Sequence, residues 1–377
     1  MPYDIPHTVS PSLWVLAWRR LRTDTVAMIS LAIVAAFLLM ILLSATGLIA
    51  KNWTKEVGTN YAPPSFLGPG EAATTEKAAA EKTAEQAADA QPEIEVVDPL
   101  ADALAAIKAG ATKPGPATAE SPADAKGVDP LADVMADIKA KGSQAETVVA
   151  RAATLPLGGD KWGRDVLKKV VKGSETSIFV GIASAIVAVF LGSLFGAVAG
   201  YYGGWLDDVF NWFYSVFTAI PYLLLILAVA AVLQQRGTLT IILILGLTGW
   251  TGVFRLIRGE YLKHKGREYV QAADAIGASN GRRMFVHILP NVSHVILVQL
   301  SILTVGFIKS EVILSFLGFG VPVDVVSWGS MLNEAQNELI LGKWWQLAAA
   351  GTFMAVLVTA FSLFTDALRD ALDPKLK

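Results

Sequence analysis

Chemistry in this chain would have to come from few residues. Lys309 and Glu311 carry opposite charges inside an otherwise apolar run, and His264, His287 and His294 lie in or beside one polar loop. Charge inside a membrane segment is costly and marks gates, proton relays or substrate paths. Two positions apart on a helix, Lys309 and Glu311 cannot face each other. Counted from Asn291, Glu311 lies roughly 30 Å along a helix rising 1.5 Å per residue, near the far interface, where Lys309 can snorkel. The pair is read as the rim of an outer gate or cavity rather than as a mid-membrane relay. The histidines lack a characteristic metal-ligand spacing, and there is no cysteine. Neither H-E-x-x-H nor G-x-x-x-x-G-K-[ST] occurs, so an intramembrane metalloenzyme and self-contained nucleotide hydrolysis both lack their residues. No catalytic, cofactor-binding or metal-ligating residue is assigned.

The polar loop, Tyr269–Pro290, is more elaborate than a connector between two spans requires. It divides into two short helices. The first covers about Arg267 to Ile276, with Val270, Ala273 and Ile276 on or near one face, and Gly277 ends it in a left-handed conformation. Ser279 or Asn280 caps a second helix that carries Met284, Phe285 and Ile288. Pro290 marks the boundary with the next apolar run. Such a unit suits a groove on another protein; the alternative is an amphipathic pair resting on membrane lipid headgroups, helped by Arg282 and Arg283.

The elements that must position this loop are membrane spans. The chain has 377 residues, 53% of them hydrophobic, with a mean hydropathy of +0.49 and only 17% charged, below the roughly 25% of soluble domains. The net charge of −2 gives no basic balance for nucleic acid. Six apolar runs are long enough to cross a bilayer, which takes about 20 helical residues: Val26–Ala50, Ser177–Gly200, Val209–Leu233, Leu239–Ile257, Val292–Phe316 and Trp345–Phe364. This makes the chain an all-α integral membrane protein with six transmembrane helices. Arg19, Arg20 and Arg22, the basic residues after span four, and Arg369, Lys375 and Lys377 put both termini and the polar loop on the cytoplasmic side. The acidic turn Tyr201–Asp208 alone disagrees. Pro221 predicts a kink in span three. Gly192, Gly196 and Gly200, with Ala188 one turn earlier, form a small-residue stripe on span two that suits close packing, within this subunit or against a partner.

Between spans one and two, residues 51–156 are rich in Ala, Glu, Lys, Pro and Gly and nearly free of aromatics after Phe66. A segment of that kind cannot bury a core, and disorder is expected. It holds one repeat: Val97–Lys108 returns as Val128–Lys139, each copy with an Asp cap, Pro at the first helical position and one apolar stripe. These are read as two transient helices in a linker, or as a docking element. The predicted organisation is a segment 1–50 with the first span, an insert 51–156 and a core 157–377 that includes the cytoplasmic loop 258–290.

Gln271-Ala272-Ala273, Gly277 and Leu289-Pro290 carry a resemblance. Their spacing resembles the Glu-Ala-Ala loop of ABC importer permeases, with Gln271 in place of Glu and His287 where Ile is usual. Leu157–Val166, Gly200–Gly204, Leu314–Gly320 with Ser327–Gly329, and Asp366–Pro374 are similar to segments of the C-type membrane subunit of dipeptide and oligopeptide importers. The resemblance covers Leu155–Lys377 well, Met1–Ala50 loosely and Lys51–Thr154 not at all. It implies a type I ABC importer permease architecture in a bacterial inner membrane, and a non-enzymatic subunit translocating di- or oligopeptides. It also implies the partners: a second homologous permease, two cytoplasmic ATPase subunits that hydrolyse ATP and grip the 269–290 loop, and a periplasmic substrate-binding protein. No cofactor is implied in this chain. Importers of nickel complexes, glutathione or microcin-like peptides are similar enough to stay open. A membrane anchor displaying the insert is the third reading, but it leaves the polar loop unexplained.

Overall fold

The computed structural model describes residues 13–68, 151–235 and 237–372. Among them there are helices and isolated β-bridges but no strand. The chain divides into one unit of Met1–Pro69 with Ala152–Lys377 and a second of Gly70–Arg151. Both repeat copies lie outside the described residues.

Among the described residues, eleven helices of eight residues or more organise the first unit. They are α1 (Leu13–Thr23), α2 (Thr25–Ala45), α3 (Val166–Tyr202), α4 (Gly204–Thr218), α5 (Tyr222–Leu233), α6 (Thr238–Thr248), α7 (Thr251–Lys265), α8 (Glu268–Ala275), α9 (Leu289–Phe316), α10 (Trp328–Ile340) and α11 (Trp345–Leu372). Asp24 separates α1 from α2 by capping α2, accepting from the backbone N–H groups of Val26 and Ala27. Among the described residues, four helical runs are long and apolar enough to span a membrane, and the number is six if each of two bent pairs counts as one span.

Those bent pairs refine the expected spans. Val209–Leu233 is not one kinked helix: α4 and α5 meet at 86°. Proline has no N–H and drives its predecessor off the helix, and Pro221 itself sits in extended backbone as the cap of α5. Leu239–Ile257 is likewise divided into α6 and α7, bent by 42° at Gly249 and Trp250. Trp250 is 2% exposed and fills the bend among Phe195, Phe213, Phe217 and Phe254.

α3 is the central post, packing on α7, α9, α6, α2 and α11. The glycine stripe explains its closeness to α7. A Cβ on Gly192 would stand 2.6 Å from the Trp250 carbonyl oxygen, and one on Gly200 would stand 2.6 Å from that of Arg258. The stripe is therefore an internal helix seam.

Lys51–Gly68, assigned from composition to the insert, packs with the membrane unit. Bridges pair Gly58 with Ala152, Pro64 with Leu155 and Glu56 with Arg164. Trp53 and Tyr61 pack against a core of Val166, Val170, Trp328 and Trp345. α10 was not anticipated. Ser327 caps it, and the hydroxyls of Ser327 and Ser330 each accept from the other's backbone N–H.

Candidate functional site

The polar loop is a helix–glycine–helix unit. α8 ends in a Schellman motif: Gly277 has φ +82°, its N–H donates to the Asp274 carbonyl at 2.8 Å, and the Ala278 N–H reaches the Ala273 carbonyl at 3.0 Å. That closure requires a left-handed residue, which glycine supplies without a Cβ penalty. Ser279 caps the next turn, Asn280–Arg282, by accepting from the Arg282 N–H. Asn280 does something else: its Oδ1 accepts from Tyr201 Oη at 3.1 Å and from Arg283. Arg283 also pairs with Asp274, binding the two halves together.

Residues Arg283–Ile288 form a π-helical turn before α9. Pro290, expected to end the loop, instead lies inside a continuous helical run from Asn280 to Phe316. Proline in a helix would clash with the carbonyl four residues back. The wider turn before it, with the Leu289 N–H bonded to the Met284 carbonyl, gives that crowding room.

The loop has a buried back and an open front. Val270, Ala273, Met284 and Ile288 are buried, and Val270, Met284 and Ile288 pack with Tyr201 of α3 and with Val253, Ile257 and Tyr261 of α7. Tyr261 Oη donates to the Met284 carbonyl at 3.2 Å. The front presents Gln271, Ala272, Ile276, Gly277, Phe285 and Val286, with Ile276 84% exposed. Ile276 thus leaves the face of Val270 and Ala273: it is the cap residue, with ψ near 9°, and no longer follows the helical rotation. Gln271 donates weakly to the Gly266 carbonyl, at 3.4 Å. Ala273 lies on the buried side, Leu289 is half-buried and Pro290 is exposed. His264 hydrogen-bonds Tyr269 Oη at 2.8 Å.

Lys309 and Glu311 are placed on different surfaces. Lys309 is exposed and Glu311 is wholly buried. The Glu311 Oε1 accepts from Ser315 Oγ at 2.6 Å, Oε2 has no partner, and Ser177 and Ser327 are its other polar neighbours. Glu311 is therefore sealed between α9, α3 and the cap of α10.

A second polar cluster, at the opposite end of α3 from the loop, had no counterpart in the sequence reading. Lys169, 1% exposed, donates to Asp160 Oδ2 at 2.9 Å, to Gln346 Oε1 at 3.2 Å and to Glu334. Arg164 Nε donates to the same Asp160 oxygen at 2.7 Å. Burial alone would raise the Asp160 carboxyl, but Lys169 and Arg164 together hold it below the ordinary carboxylate range. Glu338 is 2% exposed, and neither carboxylate oxygen has a hydrogen-bond partner. Burial, with Asp160 and Glu334 adding to it against the pull of Lys169, pushes its carboxyl up to about 7. The sequence signal was a set of charges flanking span ends, but nothing in their spacing joins positions 160, 169, 334 and 338.

Residues 192–377 match the family described as the binding-protein-dependent transport system inner membrane component. Residues 12–64 match the N-terminal TM domain of oligopeptide transport permease C. A dipeptide transport system permease protein of Bacillus subtilis is 38% identical over 220 residues, covering 58% of this chain and 68% of the relative. An oligopeptide transport system permease protein of the same organism is 36% identical over 220 residues, covering 58% and 72%. A glutathione transport system permease protein of Pectobacterium atrosepticum is 36% identical over 222 residues, covering 59% and 73%.

Proposed function

Because this chain belongs to the family of binding-protein-dependent inner-membrane transport components, as an ABC permease of the dipeptide/oligopeptide type, we propose that it translocates di- or oligopeptides and takes its driving force through the Tyr269–Pro290 loop. The observation that carries this reading is the loop's two-sidedness. A rigid buried back is anchored on α3 and α7, and an open front holds the exposed Ile276 beside Gly277. A surface knob on a stiff lever can be pushed by a partner and can pass the displacement to α3, α7 and α9. The partners on the cytoplasmic side are two ATPase subunits, with Gln271, Ala272, Ala273, Gly277, Leu289 and Pro290 forming and shaping the contact. Both termini lie on that side, where Arg19, Arg20 and Arg22 gather.

The second permease subunit is supported by α4, which carries exposed aromatic side chains and has no buried residue among its own. Trp205 and Trp212 are 71% and 68% exposed on it. A periplasmic binding protein would meet the opposite end, where Asp160 and Lys169 face Glu334 and Glu338 of α10. Lys309 and Glu311 enter as gate residues in different senses: Lys309 faces outward, while Glu311 fixes α9 against α3 and α10.

The deciding experiment is purification of tagged protein from native membranes. ATPase subunits should be recovered with the wild-type chain and lost with Ile276→Asp, while the second permease stays bound. Recovery of no ATPase with the wild type would overturn the reading. Glutathione import is the alternative that a relative supports; the ligand retained by the co-purified binding protein separates the two.

A further inference from the structure

One face of α9 stays polar where the bilayer is driest. At about 3.6 residues per turn, Gln299, Ile302, Gly306, Lys309 and Ile313 fall within an arc of about 80°. Ile302 and Ile313 are 42% and 40% exposed, Lys309 is exposed and Gln299 is half-buried. A Cβ on Gly306 would meet nothing within 4 Å, so the space in front of the helix is open there. The side chains of Gln299 and Lys309 make no hydrogen bond or ion pair with any described residue. Glu311 is no partner for Lys309, because it is wholly buried and lies about 200° round the helix from it.

Depth separates two explanations of this face. A lysine near the outer interface can snorkel to lipid headgroups. Gln299 cannot: it lies about 15 Å from Leu289 and about 15 Å short of Lys309 along the helix, at the middle of a hydrocarbon core about 30 Å thick. An amide without partners is costly in lipid. Polar side chains at such depth face the bundle interior or a water-filled cavity, and mark substrate paths.

Resting on the peptide-importer reading above, we infer that this face is the chain's wall of the translocation path, and that Lys309 selects substrate by receiving the peptide's terminal carboxylate. Lys309 is the one charge among the five residues, so the face attracts the anionic end of a zwitterionic peptide and repels its ammonium. The lysine head has three donors and no acceptor. A carboxylate accepts from it in a charge-assisted hydrogen bond, roughly twice as strong as a neutral one. A C-terminal amide brings no charge to that contact. Deeper in, the Gln299 amide both donates and accepts, which matches a peptide backbone without reading its side chains. Gly306, between the two, leaves room for that backbone to pass.

The test uses the purified transporter complex in proteoliposomes, with its binding protein pre-loaded with a pentapeptide ending in either a free carboxylate or an amide. Pre-loading keeps the binding protein's own preference out of the measured uptake. Lys309→Gln should lower the acid-to-amide uptake ratio about tenfold from the wild type, the weight of one hydrogen bond to a charged group. Lys309→Arg should preserve the ratio. The chain has no cysteine, so Gln299→Cys and Lys309→Cys each give it a single thiol. Both should react with a membrane-impermeant thiol reagent during turnover, and Leu39→Cys, 56% exposed on α2, should not. An unchanged ratio in Lys309→Gln would overturn the site. So would an equal loss of both peptides together with loss of the second permease, because Lys309 would then be holding a carboxylate of that partner. An inert thiol at position 299 would overturn the water-lined face. Uptake of neither peptide by wild-type vesicles would instead sink the importer reading on which the site rests.

Discussion

Arg258 holds Asp207 in a two-point ion pair, with Nε 2.5 Å from Oδ1 and Nη2 2.6 Å from Oδ2. The pair joins the start of α4 to the middle of α7. It also gives Asp207, one of the two acidic residues of the turn Tyr201–Asp208, a base from the neighbouring helix. Asp207→Ala should lower stability by about 1.5–3 kcal/mol, the range for hydrogen bonds to charged groups. The thermal midpoint of the purified protein measures it. A double-mutant cycle with Arg258→Ala should show non-additivity; full additivity would mean the two side chains act separately.

Gly277→Val should leave membrane insertion intact and uncouple ATP hydrolysis from uptake. A Cβ at this position meets nothing within 4 Å, so the penalty is the left-handed backbone alone, about 1–2 kcal/mol. Gly277→Asn should be milder, since Asn tolerates that conformation. Reconstituted vesicles report both hydrolysis and transport. Normal transport by the Val variant would remove the Schellman closure from the mechanism.

Gly200→Val should act differently, by separating helices. Its Cβ would press on the Arg258 carbonyl and on Tyr261, whose Cβ is 2.9 Å away. Overpacking of this kind costs about 1–3 kcal/mol. Gly259→Ala, on the partner helix with open space around it, is the control. A lower yield of folded protein for the first and not the second is the expected result.

Glu338 makes stability depend on pH. Its folded carboxyl titrates at about 7 against an ordinary 4.5, so between those values the folded state binds more protons than the unfolded chain. The stabilisation is complete below pH 4.5 and is lost as pH rises through about 7. Glu338→Gln should therefore gain roughly 1–2 kcal/mol on the wild type at pH 8, allowing for solvent screening, and little at pH 4. Midpoints of both proteins across that range measure the difference. Parallel curves would show that Glu338 does not titrate there.

Much of the loop could be read from its residues because its signals are local. Gly277, Ser279 and the apolar spacing of Val270 and Ala273 each act within one or two turns, and the structure uses them as read. Ile276 departs because a cap residue no longer follows the helical rotation that the spacing assumes. Pro221 announces a break, but its 86° angle is fixed by what α4 and α5 pack against. α10 was missed because its polar and apolar residues, lying between two strong spans, give no long apolar run. The Lys169 cluster was illegible for a different reason: Asp160, Glu334 and Gln346 meet it only after α3, α10 and α11 have packed. Glu311 was read as costly from its position in an apolar run, and its hydrogen-bond partner is Ser315 rather than Lys309, with Ser177 and Ser327 as polar neighbours.

Pro64 and Leu155 are bridged neighbours, although most of a hundred residues separate them along the chain. The described chain on either side of residues 69–150 is therefore held together, Gly58 with Ala152 and Pro64 with Leu155. Closing a longer loop between two points already held together adds little entropy cost. The permease can thus serve as a chassis. A reporter or affinity module grafted between these two positions should leave the spans of the membrane unit in place, which the thermal midpoint of the purified fusion measures.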